Sequence, residues 1–322
     1  MRKTTESPII KKKQKALSPD PGYRPLGALS SLEVSMSFTV FADGSANLPA
    51  SLLDGVTMLP CSYYVEGVEK EYMGDVDSFD AHAYYQQLAS GCKITTSLLN
   101  TQLFLSHMRP VLEQGQDAVY IAMASGISGT YQAAMLAKQE LEEEFPDRYV
   151  HIVDSRGCGF GSGLLVIRAV ELCRQGLSAR EAGKLLDEDV PHMCQYFTVD
   201  DLNFLKRSGR VSGASAMIGT VLNIKPILYG TADGHIVACG KVRGRKNAIE
   251  ALVSKYAQKQ VDARNHLVAI SHGDCLEDAK ILAEKVRAVA EPKDIVIVPH
   301  EPFSGAHVGP GMLALFFYGS ER

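Results

Sequence analysis

Apolar and polar positions along the chain follow two rhythms. Between Met36 and about residue 175, "SFTVFAD", "AVYIAM" and "YVHIVD" are short apolar runs, each ending in small polar residues and followed by a helical run. Strands alternating with helices predict a mainly parallel sheet covered on both faces, with the loops after the strand ends gathered along one edge. Three such loops, around Asp43-Gly44-Ser45, Ser125 to Thr130 and Asp154-Ser155, are therefore expected to converge.

The rhythm changes in the second half. Ser178 and Glu181 stand at capping-box spacing and open a helix, after which "HMCQYFTVDDL" predicts a strand. "KPILYGTADGHIVACGKV" places two apolar runs around Asp233-Gly234, which predicts an antiparallel hairpin. "HLVAISHG" and "DIVIVPHE" are further strands, separated by a helix that puts Leu282, Val286 and Val289 on one face. The expected fold is α/β, in two domains: residues 36–190 as a parallel α/β/α domain and 191–322 as an α+β domain with an antiparallel sheet, the ligand lying between them. "MLALFFYG" is an apolar run far too short to span a bilayer, and no other run comes closer.

Composition narrows the function. The chain has 322 residues, 46% of them hydrophobic, enough to fill two cores. With 33 Lys plus Arg against 37 Asp plus Glu, the formal charge is −4, so no global basic field attracts nucleic acid and any anion site must be local. The seven cysteines form no C-x-x-C pair and no zinc-ligand spacing, which fits a reducing, cytoplasmic setting without a metal. Residues 1–35 carry lysines, arginines and prolines without an apolar core, and are expected to be a disordered basic head with at most a transient contact to a membrane surface.

The candidate chemistry sits in the loops. "SGISGTY" lacks the G-x-S-x-G spacing of a hydrolase elbow and the lysine of a P-loop. It offers a helix N-terminus with the hydroxyls of Ser125, Ser128 and Thr130, suited either to a carboxylate or to a helix simply capped by Ser128. "RGCGFGSG" has glycines at alternate positions and fails the dinucleotide fingerprint; close helix–sheet packing accounts for them equally well. "KITTSLLN" puts Thr95, Thr96 and Ser97 at the start of an expected helix, and His307 precedes a Gly-Pro-Gly turn.

Taken in order, "KITTSLLN", "SGISGTYQAA", "IVDS" with its glycine-rich loop, "DDLNFLKRSGRVS", "IKPIL", "KVRGRKNA" and "HVGPG" resemble the DegV family of bacterial proteins from about Phe38 to Gly311. The resemblance implies a non-catalytic protein without a cofactor that binds a long-chain fatty acid in a buried apolar tunnel. It further implies that the protein presents the carboxylate to a separate fatty acid kinase subunit, which phosphorylates it to an acyl phosphate. Carried onto this chain, it implies Thr96, Ser97, Ser128, Gly129 and His307 at the carboxylate, Arg210 near the head group or phosphate, and Arg243 on the kinase-docking surface. Where the family has Gln-Pro-Ser after the Thr-Ser pair, this chain has Leu98-Leu99-Asn100, and Asp43 is followed by Gly44 rather than serine. The enzyme-class alternative is a serine hydrolase acting on a lipid ester, built from Ser128, His307 and Asp154 or Asp43.

Overall fold

In the computed structural model of the chain, residues 36–211 and 223–322 are described; the basic head at 1–35 and Ser212 of the "SGRVS" motif lie outside them. The described strands are β1 Phe38–Asp43, β2 Val56–Leu59, β3 Cys61–Val65, β4 Val68–Tyr72, β5 Ile94–Thr96, β6 Asp117–Ala122, β7 Val150–Asp154, β8 Met193–Thr198, β9 Ile224–Gly230, β10 Ile236–Arg243, β11 Leu267–His272, β12 Asp294–Pro299 and β13 Leu313–Tyr318. The helices are α1 Ala81–Ala89, α2 Thr101–Glu113, α3 Thr130–Glu144, α4 Phe160–Arg174, α5 Ala179–Asp189, α6 Asn203–Ser208, α7 Arg245–Lys259, α8 Leu276–Val289 and α9 Pro302–Val308.

The fold is the expected mixed α/β arrangement. A four-stranded sheet of order β2-β1-β6-β7 is wholly parallel. Its strands are nearly continuous apolar runs because helices cover both faces: α2 and α3 close one side over Phe41, Tyr120 and Ile152, while α4 packs on the other over Phe38, Val40 and Val153. A six-stranded sheet of order β10-β9-β8-β13-β11-β12 follows, antiparallel except for the parallel pair β11–β12. That pair is parallel because α8 crosses between its strands, as a βαβ unit requires. A small antiparallel sheet, β4-β3-β5, completes the set.

The four-stranded sheet uses residues up to 154 and the six-stranded sheet starts at 193, so the change of sheet falls across α4 and α5. The core, by contrast, is continuous across that point, with Phe160 and Val166 of α4, Phe197 of β8 and Phe316 of β13 in one cluster. Glycines permit this closeness. A methyl group at Gly163 in α4 would stand 2.5 Å from the Ala46 carbonyl oxygen, so the "RGCGFGSG" glycines serve helix–sheet packing.

Several local expectations are corrected. The Thr95–Ser97 segment does not begin a helix: Thr95 and Thr96 end β5, and α2 is capped by Asn100, whose side chain accepts from the Leu103 N–H at 2.9 Å. The tertiary pairing of β5 with β3 outweighs the capping tendency of the hydroxyl residues. Ser128 is not the N-cap of α3; Gly129 holds that position. In α8, Leu282 and Val286 are buried, but Val289 is 43% exposed because the helix ends there. "MLALFFYG" contains β13, which lies between β8 and β11 inside the six-stranded sheet. The Ser178–Glu181 capping box and the β9–β10 hairpin form as expected, the latter with a Thr231–His235 loop in which Gly234 takes φ +80°.

Candidate functional site

The parallel sheet delivers its carboxyl-end loops to one edge, where β5 and α9 meet them. A cavity of about 700 Å³ opens there. Apolar side chains of Met123, Ile127, Leu205, Ile236, Phe303 and Val308 make much of its wall, and Thr96, Ser97, Ser128, Gly129, Arg210 and His307 contribute its polar groups. Six residues scattered from 96 to 307 in sequence thus share one concave surface.

Thr96 and His307 are bonded to each other. Thr96 Oγ1 lies 2.9 Å from His307 Nε2, joining the end of β5 to the last turn of α9. Burial, with the Arg210 guanidinium adding to it, pushes the His307 imidazole down to about 4, so it is neutral near pH 7. If Nε2 carries the ring proton, it donates to Thr96 Oγ1 and leaves the Thr96 hydroxyl free to donate into the cavity.

Ser128 sits in the turn before α3. Its hydroxyl donates to Thr130 Oγ1 at 3.0 Å and accepts from the Thr130 N–H at 3.2 Å, while Thr130 Oγ1 also accepts from the Leu99 N–H. This web ties the 96–99 segment to the helix N-terminus. The adjacent Ser125 is held by Asp154: its N–H and hydroxyl reach the carboxylate at 3.1 and 2.6 Å, and the Arg156 N–H reaches it at 3.1 Å. From the far side, the β9–β10 loop presses on the same turn. A methyl group at Gly126 would meet the Gly234 carbonyl oxygen at 2.8 Å, and Arg156 donates to the Ala232 carbonyl at 2.9 Å.

These bonds also bear on a hydrolase triad. Ser128 is engaged by Thr130, His307 by Thr96 and Asp154 by Ser125 and Arg156, so each member of the Ser128–His307–Asp154 set is held by a different partner. Asp43 does not line the cavity; it is 2% exposed, accepting from the Ser45 N–H at 2.8 Å and from the Ser45 and Tyr120 hydroxyls. Of the three loops expected to converge, the Asp43 loop thus does not reach the cavity, whereas the Ser125–Gly129 turn and Cys158 do.

Residues that sequence patterns did not single out anchor α9. Glu301 is fully buried and caps that helix, accepting from the Phe303 and Ser304 N–H groups and the Ser304 hydroxyl; burial pushes its carboxyl up to about 7 against those hydrogen bonds. Ser304 Oγ also lies 2.8 Å from His300 Nε2. A glutamate before a proline at the first helical position, Glu301-Pro302, is a helix-start signal that would have located this cap. Arg243, in contrast, is exposed at the last position of the edge strand β10. Ile236, at the opposite end of that strand, lines the cavity, and seven residues of strand place Arg243 about 20 Å away.

An apolar cavity with a few convergent hydroxyls and an imidazole thus lies at the carboxyl edge of a parallel sheet, where ligand pockets of α/β folds commonly sit. The chain belongs to the DegV family, whose profile, described as an uncharacterised protein family, matches residues 37–320. It is 35% identical over 286 residues to a DegV domain-containing protein of Clostridium perfringens, covering 88% of this chain and 98% of that one. Among solved structures, a DegV family protein from Thermus thermophilus described for fatty acid binding superposes with a TM-score of 0.78 at 28% identity, covering 88% of this chain and 100% of that chain. DegV from Bacillus subtilis, described as a fatty acid binding protein, superposes with a TM-score of 0.74 at 26% identity, covering 89% and 100%.

Proposed function

We propose that this protein binds a long-chain fatty acid, with the acyl chain in the apolar part of the cavity and the carboxylate at Thr96, Ser97, Ser128, Gly129 and His307. The observation that carries this reading is the Thr96–His307 pair facing the Ser128 turn across one apolar cavity. The fatty acid binding ascribed to the Thermus thermophilus and Bacillus subtilis relatives supports it. A buried carboxylate requires hydrogen-bond donors; backbone N–H groups at a helix start, the Thr96 hydroxyl, and the Ser128 hydroxyl once its proton turns from Thr130 to the ligand supply them without a lysine. Each added methylene contributes about 0.8 kcal/mol of apolar burial, so the chain supplies most of the affinity and the polar cluster sets which end is presented.

The second half of the proposal is presentation. The protein acts as a non-catalytic carrier without a cofactor, and a separate kinase subunit docks on the surface carrying Arg243. The bound carboxylate oxygen then attacks the terminal phosphorus of ATP, giving acyl phosphate and ADP. Arg210, which lines the cavity beside His307, stabilises the charge that accumulates there. The carrier reading is favoured over the serine hydrolase by the separate partners of Ser128, His307 and Asp154.

Native mass spectrometry of protein purified from a bacterial host tests the reading. The expected result is one bound species of fatty-acid mass at near-stoichiometric occupancy. Protein that arrives empty and takes up no added palmitate overturns it, as does labelling of Ser128 by a covalent serine-hydrolase probe.

A further inference from the structure

The turn that follows α9 is held from outside the cavity. Gly309-Pro310-Gly311 leaves the helix two residues after His307, with φ of +76° at Gly309 and +74° at Gly311. Its neighbours approach so closely that side chains have no room. A methyl group at Gly311 would collide with the Asp200 carboxylate, one at Gly309 with the Phe204 ring, and one at Gly273 would stand 2.8 Å from the Gly309 carbonyl oxygen. The Gly311 N–H donates to the Gly273 carbonyl at 2.7 Å, and the Gly273 N–H donates to the Met312 carbonyl at 2.8 Å.

Arg245 makes the remaining contact. It opens α7 directly after Gly244, and its side chain is 20% exposed. Each guanidinium nitrogen has its own partner: Nη1 donates to the Gly311 carbonyl at 2.7 Å, Nε to the Asp278 carboxylate at 2.8 Å and Nη2 to the Cys275 sulfur at 3.1 Å. The Cys275 thiol donates in turn to the Met312 carbonyl at 3.2 Å. Nη1 also stands 3.6 Å from Asp200, which Lys225 engages at 2.6 Å. Cys275 is the N-cap of α8, so the cation lies at the starts of two helices, α7 and α8, where helix dipoles disfavour positive charge. Asp278 and Asp200 offset that cost. The position caps neither helix, and what it reaches is the Gly311 carbonyl. Among the described residues no other side chain hydrogen-bonds to the Gly309–Gly311 backbone. The start of α9 is secured separately, by Glu301 and by the Tyr84 hydroxyl, which donates to the Pro302 carbonyl at 2.6 Å.

We propose that Arg245, held by Asp278 and Asp200, is a positioning residue for the carboxylate site: its grip on the Gly311 carbonyl sets where the last turn of α9 places His307, and with it the bond between His307 and Thr96. This rests on the fatty-acid reading above and adds the residue that orients the imidazole from behind, since Arg245 does not itself line the cavity. The planar fork matters here, because donors fixed at set angles reach three partners at once and a lysine ammonium cannot.

The test uses the full chain with Arg245→Lys, which keeps the charge and loses the fork, and with Asp278→Asn, which frees one side of the fork. Three quantities are read: the His307 ring titration by NMR in empty protein, the affinity for palmitate, and the affinity for hexadecanol, which has the same chain length without the carboxylate. In wild type the buried His307 imidazole, beside Thr96 and Arg210, is held down to about 4. In Arg245→Lys it should loosen towards water and titrate about one pH unit higher or more. Palmitate affinity should fall about tenfold while hexadecanol affinity stays within about twofold. Asp278→Asn should move both readings the same way by less. A wild-type His307 titration in both variants overturns the proposal. So does an equal loss of palmitate and hexadecanol affinity, which would mark a general loosening of the fold. Wild-type protein that binds neither ligand would sink the fatty-acid reading, and the His307 titration of the empty protein would still decide the role of Arg245.

Discussion

Thr96 Oγ1 and His307 Nε2 stand 2.9 Å apart although 211 residues separate them in the chain. The pair joins the end of β5 to the last turn of α9, and its orientation determines whether a hydroxyl hydrogen points into the cavity.

Thr96→Val and Ser128→Ala each remove a donor proposed for the carboxylate. Leaving a buried anion short of a partner costs about 1–3 kcal/mol, or roughly 5- to 150-fold in affinity. Fatty-acid occupancy by native mass spectrometry and palmitate affinity by titration calorimetry should both fall. Unchanged affinity in both variants would remove these residues from the site.

Arg243→Ala should leave palmitate binding at wild-type level, because the residue is exposed about 20 Å along β10 from the cavity-lining Ile236. With a cognate kinase and ATP, acyl phosphate formation should drop, and kinase binding should weaken further as salt rises. Emptying of the cavity, or an unchanged rate of acyl phosphate formation, would refute the docking role.

Glu301→Gln should alter how stability depends on pH. The folded carboxyl is raised to about 7 by burial, so in the folded protein it holds its proton where the unfolded chain has released it. Its contribution is therefore fully present below about pH 4.5 and is lost as pH rises towards 7. Relative to wild type, the glutamine variant should gain up to about 3 kcal/mol across that window, read by denaturant unfolding at pH 4.5 and 8. A constant difference between the two proteins at both pH values would show that Glu301 is already ionised in the fold.

His307 acts in the opposite direction. Its folded value near 4 lies below the ordinary imidazole value, so the associated stability is present above about pH 6.5 and is lost as pH falls towards 4. A bound carboxylate beside Thr96 should raise the His307 value, visible by NMR as a move of its ring-proton titration midpoint to higher pH in palmitate-loaded relative to empty protein. An identical titration in both forms would place the ligand elsewhere.

Gly163→Ala tests the contact between α4 and the Asp43 turn. The new methyl group would face the Ala46 carbonyl oxygen at 2.5 Å, a backbone atom that cannot swing aside, so the variant should lose about 1–3 kcal/mol of stability. A melting temperature equal to wild type would mean that the helix shifts freely.

The capping box at Ser178 and Glu181 was legible because it depends on residues three apart, and the strand–loop–helix rhythm pointed to the parallel sheet and to polar loops along its edge; of the three loops expected to converge, the Ser125–Thr130 turn and the loop after Asp154 reach the cavity and the Asp43 loop does not. Family motifs in order pointed to Thr96, Ser128, Arg210 and His307, which the fold gathers around one cavity. Tertiary structure decided the rest. Thr95 and Thr96 became strand because β3 offered them a ladder, and the run at Leu313–Tyr318 became an inner strand because β8 and β11 pair with its two edges while α4 on one side and α7 and α8 on the other bury its faces, removing the alternation that marks a strand in sequence. The burial of Glu301 and the pairing of Thr96 with His307 arise between segments more than a hundred residues apart. No local pattern encodes them, since a residue's charge and hydrogen bonds depend on what the completed fold brings against it.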